Sequence, residues 1–307
     1  SLGSMASSAL SSIQLFRRWT DRFARGHFSK ELGLTWAGAQ VEVRSDSRVA
    51  VTYRIPESCT EHLEAPMRLG MVLAAVDEAS TWAFYACDRA KRPGVSVHLS
   101  ATSHDELPKA GDEVTIVTDV VHSGRSTGFA NVEVFSSSSR LIASARHVKY
   151  LPMPPPLPPL PVSWDGLFSP SLFPLARFFM EFKLSRGGAA AAVSGMSFDE
   201  LFAVQNESLD GSVYSCNFEG RKIHRNPLGT LHGGAQAVLA DLAASRSLND
   251  SAPPLPRSMS CFYYAPSQGV LDMSATQHQD ADASALVNVL FTSQATHRPT
   301  FEAQLLF

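Results

Sequence analysis

Cysteine is scarce in this sequence: there are only four, and none belongs to a Cys-x-x-Cys pair. This spacing predicts neither a disulfide framework nor a zinc site, and it is typical of reduced intracellular thiols. No apolar run reaches the length of a membrane span. The net charge is only −3, so no overall field attracts nucleic acid or an anionic membrane. The composition therefore argues against the disulfide-rich, membrane-spanning and nucleic-acid-binding classes.

The N-terminal residues 1–30 differ in charge from the rest of the chain. Residues 1–4 resemble a tag remnant before Met5, and the stretch from Ala6 to Lys30 is basic, with Asp21 as its one acid. Four large apolar residues of this stretch lie near one helical face: Ile13, Phe16, Trp19 and Phe23. This pattern is typical of a mitochondrial transit peptide or of an amphipathic helix that packs on the protein. We therefore predict a cytoplasmic or a mitochondrial location.

A proline-rich segment divides the remainder of the chain. Residues 151–161 read LPMPPPLPPLP, which excludes a helix or a central strand and predicts an extended, stiff segment. We interpret residues 151–170 as a linker between two domains, residues 31–150 and residues 171–307. A ligand for a proline-recognising domain is the alternative.

The two domains repeat one order of elements: a strand, a long helix and then several strands. The helices are predicted from Met67 to Cys87 and from Leu231 to Arg246. Strands are predicted at residues 40–55, 94–103, 113–122, 128–136, 141–150, 212–219, 257–265, 270–278, 285–293 and 300–307. This order predicts an α+β fold in which each half wraps an antiparallel sheet around one long central helix.

The most informative segment runs from Asn226 to Gly234 and reads NPLGTLHGG, with Asp241 nine residues after His232. The apolar residues that follow recur at helical spacing, so the His-Gly-Gly triplet should open a helix that contains Asp241. A helix N-terminus presents unpaired N–H groups and a partial positive charge. Glycine at this place lets a ligand approach the backbone closely. The arrangement suits an oxygen that gains negative charge during a reaction.

This segment resembles the hotdog-fold acyl-CoA thioesterases of the phenylacetate-degradation and human thioesterase-superfamily type. Those proteins carry Asn-x-x-Gly-x-x-His-Gly-Gly and an Asp nine residues after the His. The sequence has the required residue at every position: Asn226, Gly229, His232, Gly233, Gly234 and Asp241. The resemblance implies hydrolysis of an acyl-CoA to free acid and CoA, with CoA present only as part of the substrate and no separate cofactor. Together with the repeat, it implies a tandem double hotdog.

The repeat also supplies a second acid. At an offset of 164 residues Asp77 aligns with Asp241, whereas Arg68 takes the place of His232. In single-hotdog relatives two copies pair, and the loop of one copy faces the acid of the other. The resemblance therefore implies one composite site, in which the second-half loop faces Asp77. A degraded mirror site would join Asp241 to His62, Met67, Arg68 and Leu69.

The resemblance implies a role for each residue of the composite site. The Gly233 N–H and the Asn226 amide would hold the thioester carbonyl oxygen. His232 would shape the loop or donate to the same region, and Gly234 completes the motif. Asp77 would either activate a water or attack directly as a nucleophile, and the sequence leaves both open. Its apolar helix neighbours predict partial burial, which would raise its pKa and its basicity.

Further candidates surround this site. A hydroxyl that orients the water would come from Thr81, one helical turn after Asp77, or from Ser96 on the next strand. The CoA phosphates need cations, and the candidates are Arg221, Lys222, Arg225 and Arg125, with Arg146 and Lys149 as weaker ones.

Two other functions compete with hydrolysis. A degraded hotdog pair could bind an acyl-CoA without hydrolysing it, as a sensor or scaffold. One branch of the hotdog hydratases needs an Asp followed five residues later by His, but Trp82 follows Asp77 and Arg246 follows Asp241 at that spacing. The acyl-carrier-protein dehydratases pair a His with an acid about fourteen residues later, and from His232 that position is Arg246. A hydratase or dehydratase is therefore the less favoured enzyme. A homodimer of double hotdogs is a further expectation for the assembly.

Overall fold

The computed structural model describes residues 28, 32, 39–88, 92, 94–151, 197–226, 229–250, 254–279 and 284–307. The predicted N-terminal targeting or amphipathic segment lies outside the described residues except for Phe28. The proline-rich linker lies outside them except for Leu151. Within the described residues, no helix is both long enough and apolar enough to span a membrane.

The described residues form a single antiparallel sheet of twelve strands. Those of the first half are β1 (Gln40–Val43), β2 (Arg48–Arg54), β3 (Val95–Ser103), β4 (Glu113–Ser123), β5 (Thr127–Ser136) and β6 (Leu141–Tyr150). Those of the second half are β7 (Gln205–Asp210), β8 (Val213–Glu219), β9 (Ser258–Tyr263), β10 (Val270–Gln279), β11 (Ala285–Ser293) and β12 (Arg298–Leu306). The expectation of a separate sheet in each half is therefore wrong, because β3 pairs with β9 and joins the two.

The order of the strands is symmetric about this junction. It runs β1-β2-β4-β5-β6-β3-β9-β12-β11-β10-β8-β7, so the second half repeats the first in reverse. At the junction His98 pairs with Phe262, the residue 164 positions further along the chain. An antiparallel pair of equivalent strands has a local twofold axis where a residue meets its own equivalent. The two halves are thus related by an approximate twofold axis beside His98 and Phe262.

The helices are α1 (Leu69–Cys87), the short α2 (Phe198–Leu201) and α3 (Gly233–Ser247). Helices α1 and α3 pack against each other, and α1 covers the first half of the sheet while α3 covers the second. They approach closely because Gly70 and Gly234 stand at the contact. A Cβ on Gly70 would lie 2.6 Å from the Ala237 carbonyl oxygen, and one on Gly234 would lie 2.7 Å from Ala74 Cα.

Buried apolar side chains from both halves form one continuous core. In β12 the predicted alternation is confirmed, because Phe301, Ala303 and Leu305 are buried whereas Gln304 is exposed. Such alternation specifies which face of a strand packs on the helices. It also explains why most strands could be located from the sequence.

Two features of the sheet were not predicted. Strand β7 consists entirely of exposed residues, so it has no alternation of apolar and polar side chains to reveal it. The single run predicted over residues 40–55 is divided into β1 and β2 by a tight turn, in which Ser45 and Arg48 exchange backbone hydrogen bonds. Both helices begin two residues later than predicted, because Arg68 and His232 are their N-caps.

Candidate functional site

The acid of the first half and the glycine loop of the second half converge at one place. Asp77 lies on α1 and is only 4% exposed. A Cβ on Gly233, the first residue of α3, would lie 2.8 Å from Asp77 Oδ2. His232 Nδ1 is 3.5 Å from the same oxygen. The structure therefore brings together an acid, a helix N-terminus and a position that only glycine can occupy without displacing the carboxylate.

Ser96 reaches the other carboxylate oxygen because β3 is irregular. Its hydroxyl donates to Asp77 Oδ1 at 3.0 Å. The register with β6 shifts between Ser96 and His98, which leaves Val97 as an extra, exposed residue. Regular alternation from the buried Leu99 would have put Val97, and not Ser96, on the helix face. A bulge of this kind re-aims one side chain, and here that side chain is the Ser96 hydroxyl.

A fully buried histidine lies behind Ser96. His147 Nδ1 is 2.6 Å from Ser80 Oγ, and Ser80 itself donates to the Val76 carbonyl oxygen. Because the Ser80 hydroxyl proton is used in that hydrogen bond, Ser80 Oγ accepts a hydrogen bond from His147 Nδ1–H. The neutral His147 ring then has no proton on Nε2, which is an acceptor 3.0 Å from Ser96 Oγ. Burial lowers the pKa of His147 to about 3, which agrees with a neutral ring. The single Ser96 proton thus has two acceptors, His147 and Asp77.

Lys149 is also buried at this site, and it changes the role expected of Thr81. The Lys149 ammonium lies 3.8 Å from Asp77 Oδ1 and donates to Thr81 Oγ1 at 2.7 Å. The Thr81 hydroxyl donates to the Asp77 backbone carbonyl at 2.6 Å. Thr81 therefore does not present its hydroxyl to the Asp77 carboxylate. Of the two hydroxyl candidates only Ser96 reaches it, and Lys149 is too buried to be a surface phosphate ligand.

His147 was not among the predicted site residues, and Lys149 was predicted only as a weaker phosphate ligand. Both continue the inward-facing row of β6, in which Ala143 and Ala145 are also buried. Polar residues at consecutive inward positions of a strand are an unusual signal in a core. That signal was present in the sequence and would have placed both side chains against α1.

The surroundings of Asp77 also overturn the expected direction of its pKa. Burial by itself raises the pKa of this carboxyl. The nearby basic groups of His232, Lys149 and His147, with the Ser96 hydrogen bond, outweigh burial and lower the pKa to about 2. Asp77 is therefore a carboxylate near neutral pH, stabilised by four residues from three separate parts of the chain.

His232 shapes the start of α3. As the N-cap residue it accepts the Gly234 N–H on Nδ1 at 3.0 Å, so the ring proton of the neutral form is on Nε2. Its own N–H donates to the His224 carbonyl oxygen at 2.8 Å. Leu231 is held in the same way by the Ser267 carbonyl oxygen at 2.9 Å. The ring therefore satisfies an otherwise orphaned helix N–H while lying against Asp77.

Two more residues fix this loop. Tyr263 donates its hydroxyl to the Gly233 carbonyl oxygen at 3.0 Å, and burial raises the Tyr263 pKa, which keeps the proton in place. The side-chain amide of Asn226 donates to Thr230 Oγ1 at 2.7 Å, and its oxygen accepts the Thr230 N–H at 3.2 Å. Asn226 thus closes its own loop.

The second acid has entirely different neighbours. Asp241 Oδ1 accepts two hydrogen bonds from Arg68, at 2.9 and 3.1 Å, and Oδ2 accepts the Gly70 N–H at 2.8 Å. Arg68 also donates to Ser245 and forms an ion pair with Glu61. Asp241 has no exposed surface. The mirror arrangement was expected to contain Arg68, and the structure adds Gly70 and Ser245 as partners within a closed ion-pair network.

The cationic candidates occupy two segments. Arg221, Lys222 and Arg225 lie just before the Asn226 loop, and Arg221 and Arg225 donate to backbone carbonyl groups of residues 200, 201 and 220. Arg125 is exposed in the turn between β4 and β5. Among the described residues, no three His, Cys, Asp or Glu side chains cluster as they would around a metal ion.

Comparison with known proteins adds family matches to this geometry. Residues 69–143 match the thioesterase superfamily, and residues 202–304 match a family described as a domain of unknown function. A protein of unknown function with a hot dog fold from Alicyclobacillus acidocaldarius covers 87% of this chain and 95% of its own, with a TM-score of 0.54 and 13% identity. Residues 69–143 are thus similar to the thioesterase superfamily, and the long structural match shows that the chain has the hotdog fold. No curated protein matches it in sequence.

Two other solved structures are similar to this chain. An acyl-ACP thioesterase from Bacteroides thetaiotaomicron covers 85% of this chain and 97% of its own, with 11% identity and a TM-score of 0.51. Zebra fish thioesterase superfamily member 2 is 28% identical and covers 45% of this chain and 94% of its own, with a TM-score of 0.38. At 11–13% identity, the two long matches show the hotdog fold alone.

Proposed function

We propose that this protein hydrolyses an acyl-CoA thioester to a free acid and CoA at a composite site formed by Asp77 and the start of α3. The observation that carries the proposal is the approach of Asp77 Oδ2 to within 2.8 Å of the Cβ position of Gly233. A helix N-terminus stabilises the negative charge that develops on the carbonyl oxygen of a thioester under attack. A carboxylate beside that helix N-terminus can act at the carbonyl carbon of the same thioester. The match of residues 69–143, which include Asp77, to the thioesterase superfamily supports this reaction class.

We propose also that the chain is a tandem double hotdog in which the two halves pair as two copies do in single-hotdog relatives. The symmetric strand order and the pairing of His98 with Phe262 support this arrangement. So does the contact of Gly70 and Gly234, which are equivalent at the same offset of 164 residues. A dimer of such units, and a mitochondrial or cytoplasmic location, stay predictions.

In the proposed reaction the thioester carbonyl oxygen lies at the Gly233 N–H. The Asn226 amide donates a second hydrogen bond to this oxygen after it gives up its hydrogen bond to Thr230. Asp77 Oδ2 faces the carbonyl carbon, while Oδ1 is held by Ser96. As a base, Asp77 would take a proton from a water whose oxygen attacks that carbon. Collapse of the tetrahedral intermediate then breaks the carbon–sulfur bond, and the CoA sulfur leaves and takes up a proton.

Direct attack by Asp77 is the other route. It would form a mixed anhydride and expel CoA, and water would then hydrolyse the anhydride. One turnover in ¹⁸O-water, followed by mass spectrometry of the Asp77 peptide, addresses this choice. Label in that carboxylate would identify Asp77 as the nucleophile, because water would then have attacked its anhydride carbon.

The proposed CoA contacts follow the same logic. Arg221, Lys222 and Arg225 precede the loop, and Arg125 projects from the β4–β5 turn. Arginine binds phosphate with paired donors, and lysine binds it as a point charge. All four are proposed phosphate ligands.

The first test is thiol release from a panel of short, medium, long and aromatic acyl-CoAs by the wild-type protein. Turnover that saturates with one acyl class supports hydrolysis and names the substrate class. Binding of the same acyl-CoAs with no thiol release would contradict hydrolysis and favour an acyl-CoA-binding protein. This second function is favoured by one observation: the Asn226 amide is bonded to Thr230 of its own loop, whereas the proposed reaction needs it at the thioester oxygen.

A second measurement tests the number of sites. A non-hydrolysable thioether analogue of the preferred acyl-CoA should bind with one molecule per chain, since Arg68 fills the mirror position. Two molecules per chain would contradict the assignment of a single competent site.

A further inference from the structure

A buried ion pair lies at the far end of α1 from the glycine contact. Asp88 is the C-cap of α1, and Arg92 is four residues further along the chain; they are 3% and 7% exposed. Arg92 Nε and Nη2 donate to the two carboxylate oxygens at 2.9 and 2.8 Å, and the Arg92 N–H donates to the carboxylate at 2.9 Å. This is the forked geometry that holds a guanidinium in one orientation. The hydrogen bonds to Asp88 alone therefore fix the orientation of the Arg92 side chain.

Among the described residues, the other side-chain hydrogen bonds of this pair go to the turn between β4 and β5. Arg92 Nη2 donates to the Gly124 carbonyl oxygen at 2.8 Å, and Nη1 donates to the Arg125 carbonyl oxygen at 2.7 Å. Ser123 Oγ donates to Asp88 Oδ1 at 2.7 Å. Three consecutive residues of one turn are thus bonded to one buried ion pair.

Peptide planarity determines what this does to the turn. In a trans peptide the N–H points opposite to the C=O. Because the carbonyl groups of Gly124 and Arg125 both point inward to Arg92, the N–H groups of Arg125 and Ser126 both point away from it. Successive N–H groups that point the same way attract anions, and the exposed Arg125 guanidinium extends from the same backbone. The turn is arranged to receive an anion.

The position of the turn suits an elongated ligand. Asp88 follows Asp77 by eleven residues on one helix, which corresponds to about 16 Å. At the near end, Lys149 lies 3.8 Å from Asp77 and pairs in the sheet with Gly128, just beyond the turn. The reacting acid and the anion-attracting turn therefore stand apart along α1, as the thioester and the phosphates stand at the two ends of the pantetheine arm of an acyl-CoA.

We propose that Asp88 and Arg92 are positioning residues that hold the turn of residues 123–126 as a binding site for a phosphate of CoA. Buried ion pairs contribute little net stability, so stability alone does not account for one at this place. What the pair supplies is a single conformation for a turn that would otherwise be free to rotate its peptide groups. The inference rests on the proposed function for its ligand, but it concerns Asp88 and Arg92, to which that function assigns no role.

The test compares a ligand with phosphates and one without them. In the Arg92→Met variant, calorimetric titration with CoA should give a Kd about tenfold higher than in wild type, since a misplaced turn loses charge-assisted contacts. The Kd for pantetheine, which has no phosphate, should not change. For hydrolysis, KM for the acyl-CoA should rise by the same factor while kcat stays unchanged. The same acyl group on pantetheine should show no change in kcat/KM.

Further variants separate positioning from folding. In Asp88→Leu/Arg92→Met no buried charge is left unpaired, so this protein should fold and still bind CoA weakly. Arg92→Lys cannot bond Asp88 and two carbonyl groups at once, and it should not restore CoA affinity. Arg92→Met/Arg125→Ala should raise the Kd for CoA by less than the product of the two single increases, because both changes act on one phosphate site. Arg48→Met, at an exposed ion pair on β2, is the matched control and should bind CoA as wild type does.

Three results would overturn the inference: unchanged CoA affinity in Arg92→Met, an equal loss for CoA and pantetheine, or no CoA binding by wild type. An increased Kd for CoA in a protein that hydrolyses no thioester would uphold it and refute the proposed hydrolysis. The two proposals therefore fail separately.

Discussion

Two buried acids occupy equivalent positions in the two halves, yet one faces the start of a helix and the other is closed in an ion pair. Asp77 accepts a hydrogen bond from Ser96 and turns its other oxygen toward Gly233. Asp241 is completely bonded by Arg68 and the Gly70 N–H. The helices, their glycine contact and the offset are the same, so the difference arises from the side chains at the N-caps.

The N-cap residue decides which group takes the first helix N–H groups. His232 accepts the Gly234 N–H on its own ring, so Asp77 is not needed there. Arg68 has no acceptor, and the equivalent N–H, that of Gly70, goes to Asp241 instead. The Arg68 guanidinium then neutralises this acid and fills the space around it. One substitution at a cap can thus convert a site that faces a ligand into a closed structural ion pair.

The largest contrast is expected when each acid is changed to its amide. Asp77→Asn should lower kcat by about 10²–10⁴-fold, because it removes the group that acts on water or carbon. Asp241→Asn should leave kcat within about twofold, since Arg68 already occupies its surroundings. Thiol-release kinetics on the preferred acyl-CoA measure both. Loss of turnover in Asp241→Asn alone would reverse the assignment of the two sites.

The next effect concerns the stability of the closed site. Arg68→Met leaves Asp241 buried without its charge partner and should lower the free energy of unfolding by about 3–5 kcal/mol. Arg68→Met/Asp241→Leu should recover most of that loss, because no charge remains buried. Urea denaturation measures both variants, with the exposed Arg48→Met as control. A loss below about 1 kcal/mol in the single variant would show that Asp241 finds another partner.

The glycines at the helix contact give a smaller and symmetric effect. Gly70→Ala and Gly234→Ala each put a methyl group against the backbone of the opposite helix and should cost about 1–3 kcal/mol of stability. Gly233→Ala meets the Asp77 carboxylate instead, at 2.8 Å, and should lower kcat more than stability. Thermal unfolding and kcat, measured on all three, separate these outcomes. Equal kinetic defects in Gly70→Ala and Gly233→Ala would contradict the comparison.

The smallest effect concerns how the free energy of unfolding depends on pH in the acidic range. The pKa of Asp77 is about 2 in the folded protein and 3.8 as an ordinary Asp. Its ionised form therefore stabilises the fold above pH ~4, and this contribution, at most about 2 kcal/mol, is lost as the pH falls toward ~2. Denaturation of wild type and Asp77→Asn across this range should give a flatter curve for the variant. Parallel curves would mean that the pKa of Asp77 is not lowered.

Much of the architecture could be read from local patterns. Helical spacing located α1 and α3 to within two residues, and alternation located strands such as β6 and β12. The offset of the repeat aligned Asp77 with Asp241, and it showed that Arg68 replaces His232. These features depend on neighbours a few residues apart, whose preferences are expressed in the sequence itself. Strand β7 was not predicted, because all its residues are exposed and Leu209 is its one apolar side chain.

The chemical state of the candidate site was decided only by the tertiary structure. The bulge that turns Ser96 toward Asp77, the closure of Asp241 by Arg68 and the joining of both halves into one sheet all require pairing between distant segments. The pKa of Asp77 was expected to rise and is lowered, because Lys149, His147 and His232 come from β6 and from the other half of the chain. Electrostatic interactions act over distances in space, so the sequence determined which acids are present and the fold decided what each of them faces.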